Sequence, residues 1–124
     1  MKLEEFIKTH IESVDDLRSL LLFHGAPQAQ MDANEVAGKL YLPPITAEKI
    51  LARLAAKGLL AGIAESRRYR YQPDSAESAR LIAELVELDQ IRPVSLINMI
   101  YPPMKGIQAF ADAFKIKKDK DEDK

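Results

Sequence analysis

The stretch ILARLAAKGLLAGIAESRRYRYQP, Ile50 to Pro73, decides the fold of this chain. It starts with apolar residues at helical spacing and stops at Gly58, a residue type typical of the position just after a helix C-terminus. A polar turn near Ser66 and Arg67 then separates LLAGIAE from RYRYQ. We predict that these two segments pair as short strands of a hairpin.

The second of these strands has two different faces. Side chains alternate along a strand, so Tyr69 and Tyr71 share one face while Arg68 and Arg70 share the other. The tyrosines could in principle stack on single-stranded nucleic acid. We expect them instead to pack against the preceding helix, as aromatic residues on a half-buried strand usually do.

Three helical patterns precede the hairpin, after a short amphipathic helix at the amino terminus. Ser13 is predicted to cap a helix over about 14–23, and Asp32 to cap the next. After YLPP, which forces a turn, Thr46 is expected to begin a helix over 46–57. We call this last segment the candidate recognition helix.

Helical patterns also follow the hairpin. A long helix is expected to open in PDSAESARL, and Pro93 should kink or interrupt it before the pattern resumes in VSLINMIY. The segment GIQAFADAFKI forms another apolar stripe, and KKDKDEDK is predicted to be disordered. The domain boundaries we predict are 1–12 for an N-terminal helix, 13–73 for the hairpin-containing domain, 74–115 for a C-terminal helical region and 116–124 for a charged tail.

Charge is distributed unevenly along the chain, although the net charge is only −1. Residues 1–35 hold three basic and seven acidic residues, whereas 44–71 hold six basic and two acidic ones. The local balance of +4 coincides with the candidate recognition helix and the hairpin. A basic surface of this kind suits phosphate, and the competing interpretation is a solvated face with arginines paired to Glu48 and Glu65.

Several functions are disfavoured by the residues present. The 124-residue chain has no cysteine, its two histidines, His10 and His24, have no metal-ligand spacing, and no phosphate loop or nucleophile motif occurs. We therefore expect no enzyme, no metal and no cofactor. An acidic amino terminus and the lack of a long apolar run lead us to expect a cytoplasmic protein.

The residues DANEVAGKLYLPPITAEKILARLAAKGLL, followed by AESRRYRYQ, resemble the winged helix-turn-helix domain of bacterial transcriptional regulators, including the multiple-antibiotic-resistance (MarR) type. The resemblance implies a mainly α fold with a minor β hairpin. It also implies that one helix enters the major groove of double-stranded DNA while the tip of the hairpin, or wing, touches the backbone or the minor groove. The ending IYPPMKGIQAFADAFKIKK resembles small uncharacterised bacterial proteins, which implies no activity.

Specific DNA contacts follow from this resemblance. The candidate recognition helix has no Asn or Gln to pair with adenine, so base reading would depend on Lys49 and Arg53 contacting guanine. Phosphates would be held by Thr46 and Lys57 at the two ends of the helix, and by Arg67, Arg68 and Arg70 on the wing.

The apolar C-terminal helices suggest a homodimer, because a single winged domain has too little surface to cover them. The predicted interface consists of Ile82, Leu85, Val86, Leu96, Ile97, Ile100, Phe110 and Phe114. The alternative is that the N-terminal helix and the FADAF segment cover them within one chain. The alternative function is a protein-interaction adaptor that uses the winged fold without DNA, and a ligand-sensing cavity is compatible with either function.

Overall fold

The computed structural model describes residues 1–101, which form a mainly helical fold with one small antiparallel sheet. The elements in chain order are α1 (Leu3–His10), α2 (Val14–Gly25), α3 (Ala33–Leu40), α4 (Pro44–Ala56), β1 (Leu60–Gly62), β2 (Tyr69–Tyr71), α5 (Ala76–Ile91) and α6 (Pro93–Ile100). The predicted FADAF segment, its Phe110 and Phe114, and the charged tail lie outside the described residues. No helix within residues 1–101 has the length and apolar character needed to cross a bilayer.

Side-chain caps define where several helices begin. The Ser13 hydroxyl accepts from the Asp16 backbone N–H, and Asp32 accepts from the N–H of Glu35, as predicted for both caps. The candidate recognition helix, α4, begins at Pro44, two residues before the predicted start at Thr46. Proline suits this position because the first turn of a helix does not use its backbone N–H groups for internal hydrogen bonds.

Between α4 and β1 the chain turns at Gly58, whose φ of 79° lies in the left-handed region. This backbone conformation favours glycine, and a side chain there would also displace the exposed carboxylate of Asp74. The hairpin pairs Leu60 with Tyr71 and Gly62 with Tyr69. An isolated bridge from Met31 to Tyr69 ties the hairpin to the segment before α3.

Pro93 separates two helices. Helix α5 ends at Ile91, and Arg92, with φ −137° and ψ 67°, breaks the helical path before α6 begins at Pro93 itself. The residue before a proline avoids the helical region, which accounts for the break. The sequence left a kink and a separation as alternatives, and the structure has the separation.

Helices α1, α5 and α6 pack together, so the N-terminal helix covers apolar surface of the C-terminal helices within one chain. Phe6 and Ile7 of α1 are buried in the same cluster as core residues of α2, α4, α5 and α6. The assignment of Ile82, Leu85 and Leu96 to a dimer interface is therefore wrong. All three have no exposed surface to offer a second chain, because they fill the core of this one.

Candidate nucleic-acid interface

Helix α4 has one buried face and one open face. Its buried side packs against α2, α3 and β1 through Ala47, Ile50, Leu51 and Leu54. The open side presents Ile45, Glu48, Lys49, Ala52 and Ala56. Two of these five residues are alanines, so the middle and the C-terminal end of the face are flat and allow the backbone of another molecule to approach.

A groove of about 470 Å³ separates this open face from the hairpin tip. Its lining residues are Asp32, Ala33, Asn34, Glu48, Ala52, Ser66, Arg67 and Tyr69. The groove therefore brings Arg67 of the hairpin alongside Glu48 and Ala52 of α4. It also brings two carboxylates to this surface, Glu48, which the sequence places on the open face of the helix, and Asp32, the cap of α3.

Three of the predicted DNA-contacting cations remain unpaired in the described part of the chain. Lys49 on α4 and Arg67 and Arg70 on the hairpin are exposed and make no salt bridge with any residue of 1–101. These side chains are available for an anionic ligand. Thr46 is half-buried in the first turn of α4.

Arg53 points away from the open face and into the protein. Its Nη2 and Nε donate to the Asp16 carboxylate at 2.6 and 3.0 Å, and Glu12 lies 3.6 Å from Nε. The expectation that Arg53 is directed at base edges is thus wrong. Lys57 is similarly engaged, because its Nζ donates to Glu12 at 2.9 Å and its side chain is mostly covered.

The Asp16 carboxylate is held in its charged form by these contacts. Burial by itself would raise the pKa of Asp16, but hydrogen bonds from Arg53 and Ser13, the charge of Arg53 and the Glu12 backbone N–H outweigh it and lower that pKa. The pKa of Arg53 is raised by the same hydrogen bond. The pair therefore stays ionised and acts as a structural link between α2 and α4.

Arg68 forms hydrogen bonds with other parts of the protein and so holds the hairpin in place. Its Nη1 donates to the Gln30 carbonyl oxygen at 2.7 Å and to Glu35 Oε1 at 3.1 Å. The same Glu35 oxygen accepts from the Asp32 backbone N–H and completes the cap of α3. The hairpin is thus tied to the N-terminus of α3, and Arg68, although 45% exposed, is only in part available to phosphate.

The main helix contact of β2 is with α2 and not, as expected, with α4. The two hairpin tyrosines nevertheless lie beside the hydrophobic core, as predicted. Both are partly buried and pack against it, and burial raises the pKa of Tyr71. His24 meets the ring of Tyr71 edge-on at 5.4 Å between centroids, and His10 stacks on Phe6 at 4.2 Å. Within residues 1–101 no three His, Asp or Glu side chains are grouped as a metal would need.

The exposure of two apolar side chains beside this surface could not be predicted from the sequence. Tyr41, in the turn before α4, is 91% exposed, and Ile45, in its first turn, is 59% exposed. Their residue types favour burial, and the helical spacing of Ile45 does not distinguish it from the core positions Ile50 and Leu54. The one available signal is YLPP, since a segment held open by two prolines cannot fold back over its own apolar side chains.

Comparison with known proteins identifies no relative of this chain. No family model, curated protein or solved structure matches the chain.

Proposed function

We propose that this chain binds double-stranded DNA through a winged helix-turn-helix and acts as a transcriptional regulator. The observation that carries the proposal is the open face of α4 lying beside the basic tip of a hairpin. A winged-helix interpretation of this arrangement is supported by the order of the elements along the chain, which is α2, the bridge at Met31, α3, α4, β1 and β2. In that interpretation α4 is the helix that enters the major groove.

Lys49 is the cation that serves base reading in this proposal, since Arg53 is directed inward. A lysine on the groove-facing side of a helix reaches the O6 and N7 acceptors of guanine. Glu48, its neighbour on the open face, is an acceptor suited to the exocyclic amine of cytosine. Ala52 and Ala56 allow the helix axis to lie close to the base edges.

Phosphate contacts are assigned to Arg67 and Arg70, which, like Lys49, have no salt-bridge partner among residues 1–101. Arg68 positions the wing by bracing it on α3. Thr46, in the first turn of α4, keeps its proposed contact with a phosphate. Lys57 has a smaller part than the sequence suggests, because a phosphate would have to displace Glu12 from it.

We also propose a homodimer, now through the surface that α1 leaves open. Ile91, Val94, Ile97 and Tyr101 are large apolar residues exposed at the end of α5 and along α6. Val86 and Ile100, from the original prediction, are partly covered and border the core. A two-fold dimer would bind a palindromic site with half-sites about one helical turn apart.

A second candidate function is a protein-interaction adaptor. It is favoured by Asp32 and Glu48, which interrupt the positive surface within the groove. A groove with two carboxylates beside Tyr69 suits a basic side chain of a partner protein better than it suits phosphate.

The deciding experiment is fluorescence anisotropy of the full chain with fragments of its own upstream DNA at several salt concentrations. Two phosphate contacts per chain, four in the proposed dimer, predict a log–log salt slope of about −3.6, which is roughly a 150-fold loss between about 50 and 200 mM salt. The triple variant Lys49→Ala, Arg67→Ala, Arg70→Ala should remove most of this affinity and flatten the slope. Arg80→Ala, which removes an exposed arginine from α5, is the matched control and should change neither.

The outcomes separate the two candidates. Salt-dependent binding that is lost in the triple variant and kept in the control supports the DNA surface. Absence of binding at low salt, or binding indifferent to the three cations, overturns it. In that case the Asp32→Asn, Glu48→Gln double variant becomes the probe for a basic protein partner.

A further inference from the structure

The turn into α4 exposes a continuous apolar segment that the proposed contacts leave unused. Tyr41 and Ile45 are exposed to 91% and 59%, and Pro43 and Pro44 between them are exposed as well. Across residues 1–101 the other large exposed apolar side chains lie at Met1 or near α6. This pair therefore forms a separate patch, at the end of α4 that reads bases in the proposed function.

Tyr41 is held in a backbone conformation that a tyrosine rarely adopts. Its φ and ψ are 59° and 47°, in the left-handed region where a side chain crowds the following carbonyl. The Tyr41 and Leu42 backbone N–H groups both donate to the Ala37 carbonyl and fix this turn. Glycine fits such a position without strain, so the ring is retained at a cost in stability and remains fully in solvent.

The charges around the patch favour an anionic partner. Lys39 at the end of α3 and Lys49 one turn into α4 are exposed and make no salt bridge with residues 1–101. Arg18 also approaches, donating to the Leu40 carbonyl oxygen at 3.4 Å, but its charge is paired with Asp15 at 3.7 Å. Glu48 is the acidic residue closest in sequence on this open face. An apolar patch flanked by lysines matches DNA, whose major groove exposes one apolar group, the C5-methyl of thymine, between anionic backbones.

We infer that Ile45 recognises a thymine methyl group in the major groove and that Tyr41 packs against the adjacent sugar–phosphate backbone. The inference rests on the proposed DNA-binding function and adds a base preference to it. Ile45 lies in the first turn of α4, and the N-terminal residues of a groove-bound helix are those that reach base edges. The Tyr41 hydroxyl is a donor suited to a phosphate oxygen.

The test compares two duplexes of equal charge, an alternating A·T duplex and the same duplex with deoxyuridine in place of every thymidine. The substitution removes only the methyl groups. Burial of one methyl group is worth about a fourfold change in affinity, so wild-type chain should bind the A·U duplex about fourfold more weakly for each methyl contacted. Fluorescence anisotropy at low salt measures both affinities.

Ile45→Ala should bind the A·T duplex as weakly as wild type binds the A·U duplex and should no longer distinguish the two. Ile45→Val, which keeps a branched apolar side chain, should retain part of the discrimination. Thr9→Ala is the control, because Thr9 is exposed on α1, outside both the proposed DNA-contacting surface and the proposed dimer interface. Circular dichroism and urea unfolding of each variant verify that the fold is retained.

Each outcome decides between distinct conclusions. A preference for thymine that disappears in Ile45→Ala supports the inference. Equal binding of wild type to both duplexes, or equal discrimination in wild type and Ile45→Ala, overturns it while leaving the DNA-binding function intact. Failure of wild type to bind these duplexes and its own upstream fragments overturns both and leaves the patch to a protein partner.

Discussion

The guanidinium of Arg53 donates hydrogen bonds to both oxygens of the Asp16 carboxylate, at 2.6 and 3.0 Å, and so joins α4 to α2 across 37 residues of sequence. Asp16 has no exposed surface, whereas Arg53 keeps 30% of its side chain in solvent. Paired hydrogen bonds from a planar guanidinium to a carboxylate are strong and directional. The pair lies on the side of α4 that faces α2, and together with the buried Ala47, Ile50, Leu51 and Leu54 it defines which residues the helix presents outward.

Removal of Arg53 should therefore destabilise the fold without weakening contacts to DNA directly. Arg53→Ala leaves a buried carboxylate without its partner, and we expect a loss of about 3 kcal/mol in the free energy of unfolding. Urea denaturation measures this loss. Lys49→Ala, an exposed cation on the same helix, is the control and should stay within about 0.5 kcal/mol of wild type. Equal effects of the two substitutions would contradict the structural role of Arg53.

The same pair makes stability depend on pH in the acidic range. Folding lowers the pKa of Asp16 below its ordinary value of 3.8, so the folded chain binds this proton more weakly than the unfolded chain does. The stabilising contribution is complete above the unfolded-state pKa and is lost as pH falls through 3.8 toward the lower folded-state value. The stability difference between wild type and Asp16→Asn, followed by thermal unfolding, should therefore shrink on acidification below about pH 4. A difference that stays constant down to the lowest accessible pH would refute the assignment.

Local signals in the sequence were sufficient for the helices and the hairpin. Ser13, Asp32 and Gly58 each act through backbone groups within a few residues, so their roles could be predicted without knowledge of the tertiary fold. The same is true of the alternating faces of β2, where Tyr69 and Tyr71 pack inward because their neighbours Arg68 and Arg70 must point outward.

The roles of individual cations depended on distant partners and could not be predicted in the same way. Lys49 and Arg53 are one turn apart on α4. Only the position of Asp16 on another helix makes Arg53 structural, while Lys49 has no salt-bridge partner among residues 1–101. The predicted dimer interface was wrong for a related reason. Ile82 and Leu96 are apolar at helical spacing whether a second chain or α1 covers them, and periodicity does not distinguish these cases.

Dimerisation should depend on the apolar side chains that α1 leaves exposed. Val94 is 69% exposed on α6, so Val94→Glu should preserve the fold while placing a charge in the proposed interface. We expect the dimer dissociation constant to rise roughly ten- to a hundredfold, in line with the loss of one buried aliphatic side chain. Sedimentation equilibrium measures it, with Ile45→Glu on α4 as the control. A chain that is monomeric before any substitution would rule out the proposed dimer.

Tyr41 should show opposite effects on stability and on binding. Tyr41→Gly relieves the left-handed strain and should stabilise the fold by about 1 kcal/mol, measured by urea unfolding. It also removes the ring proposed to contact the DNA backbone, so affinity for the A·T duplex should fall severalfold in the same preparation. Glu65, with φ 60°, occupies the same region at the hairpin turn, and Glu65→Gly should stabilise the fold similarly without weakening DNA binding. If Tyr41→Gly were destabilising, the strain argument would be wrong. If it left the affinity unchanged, the exposed ring would have no role in DNA binding.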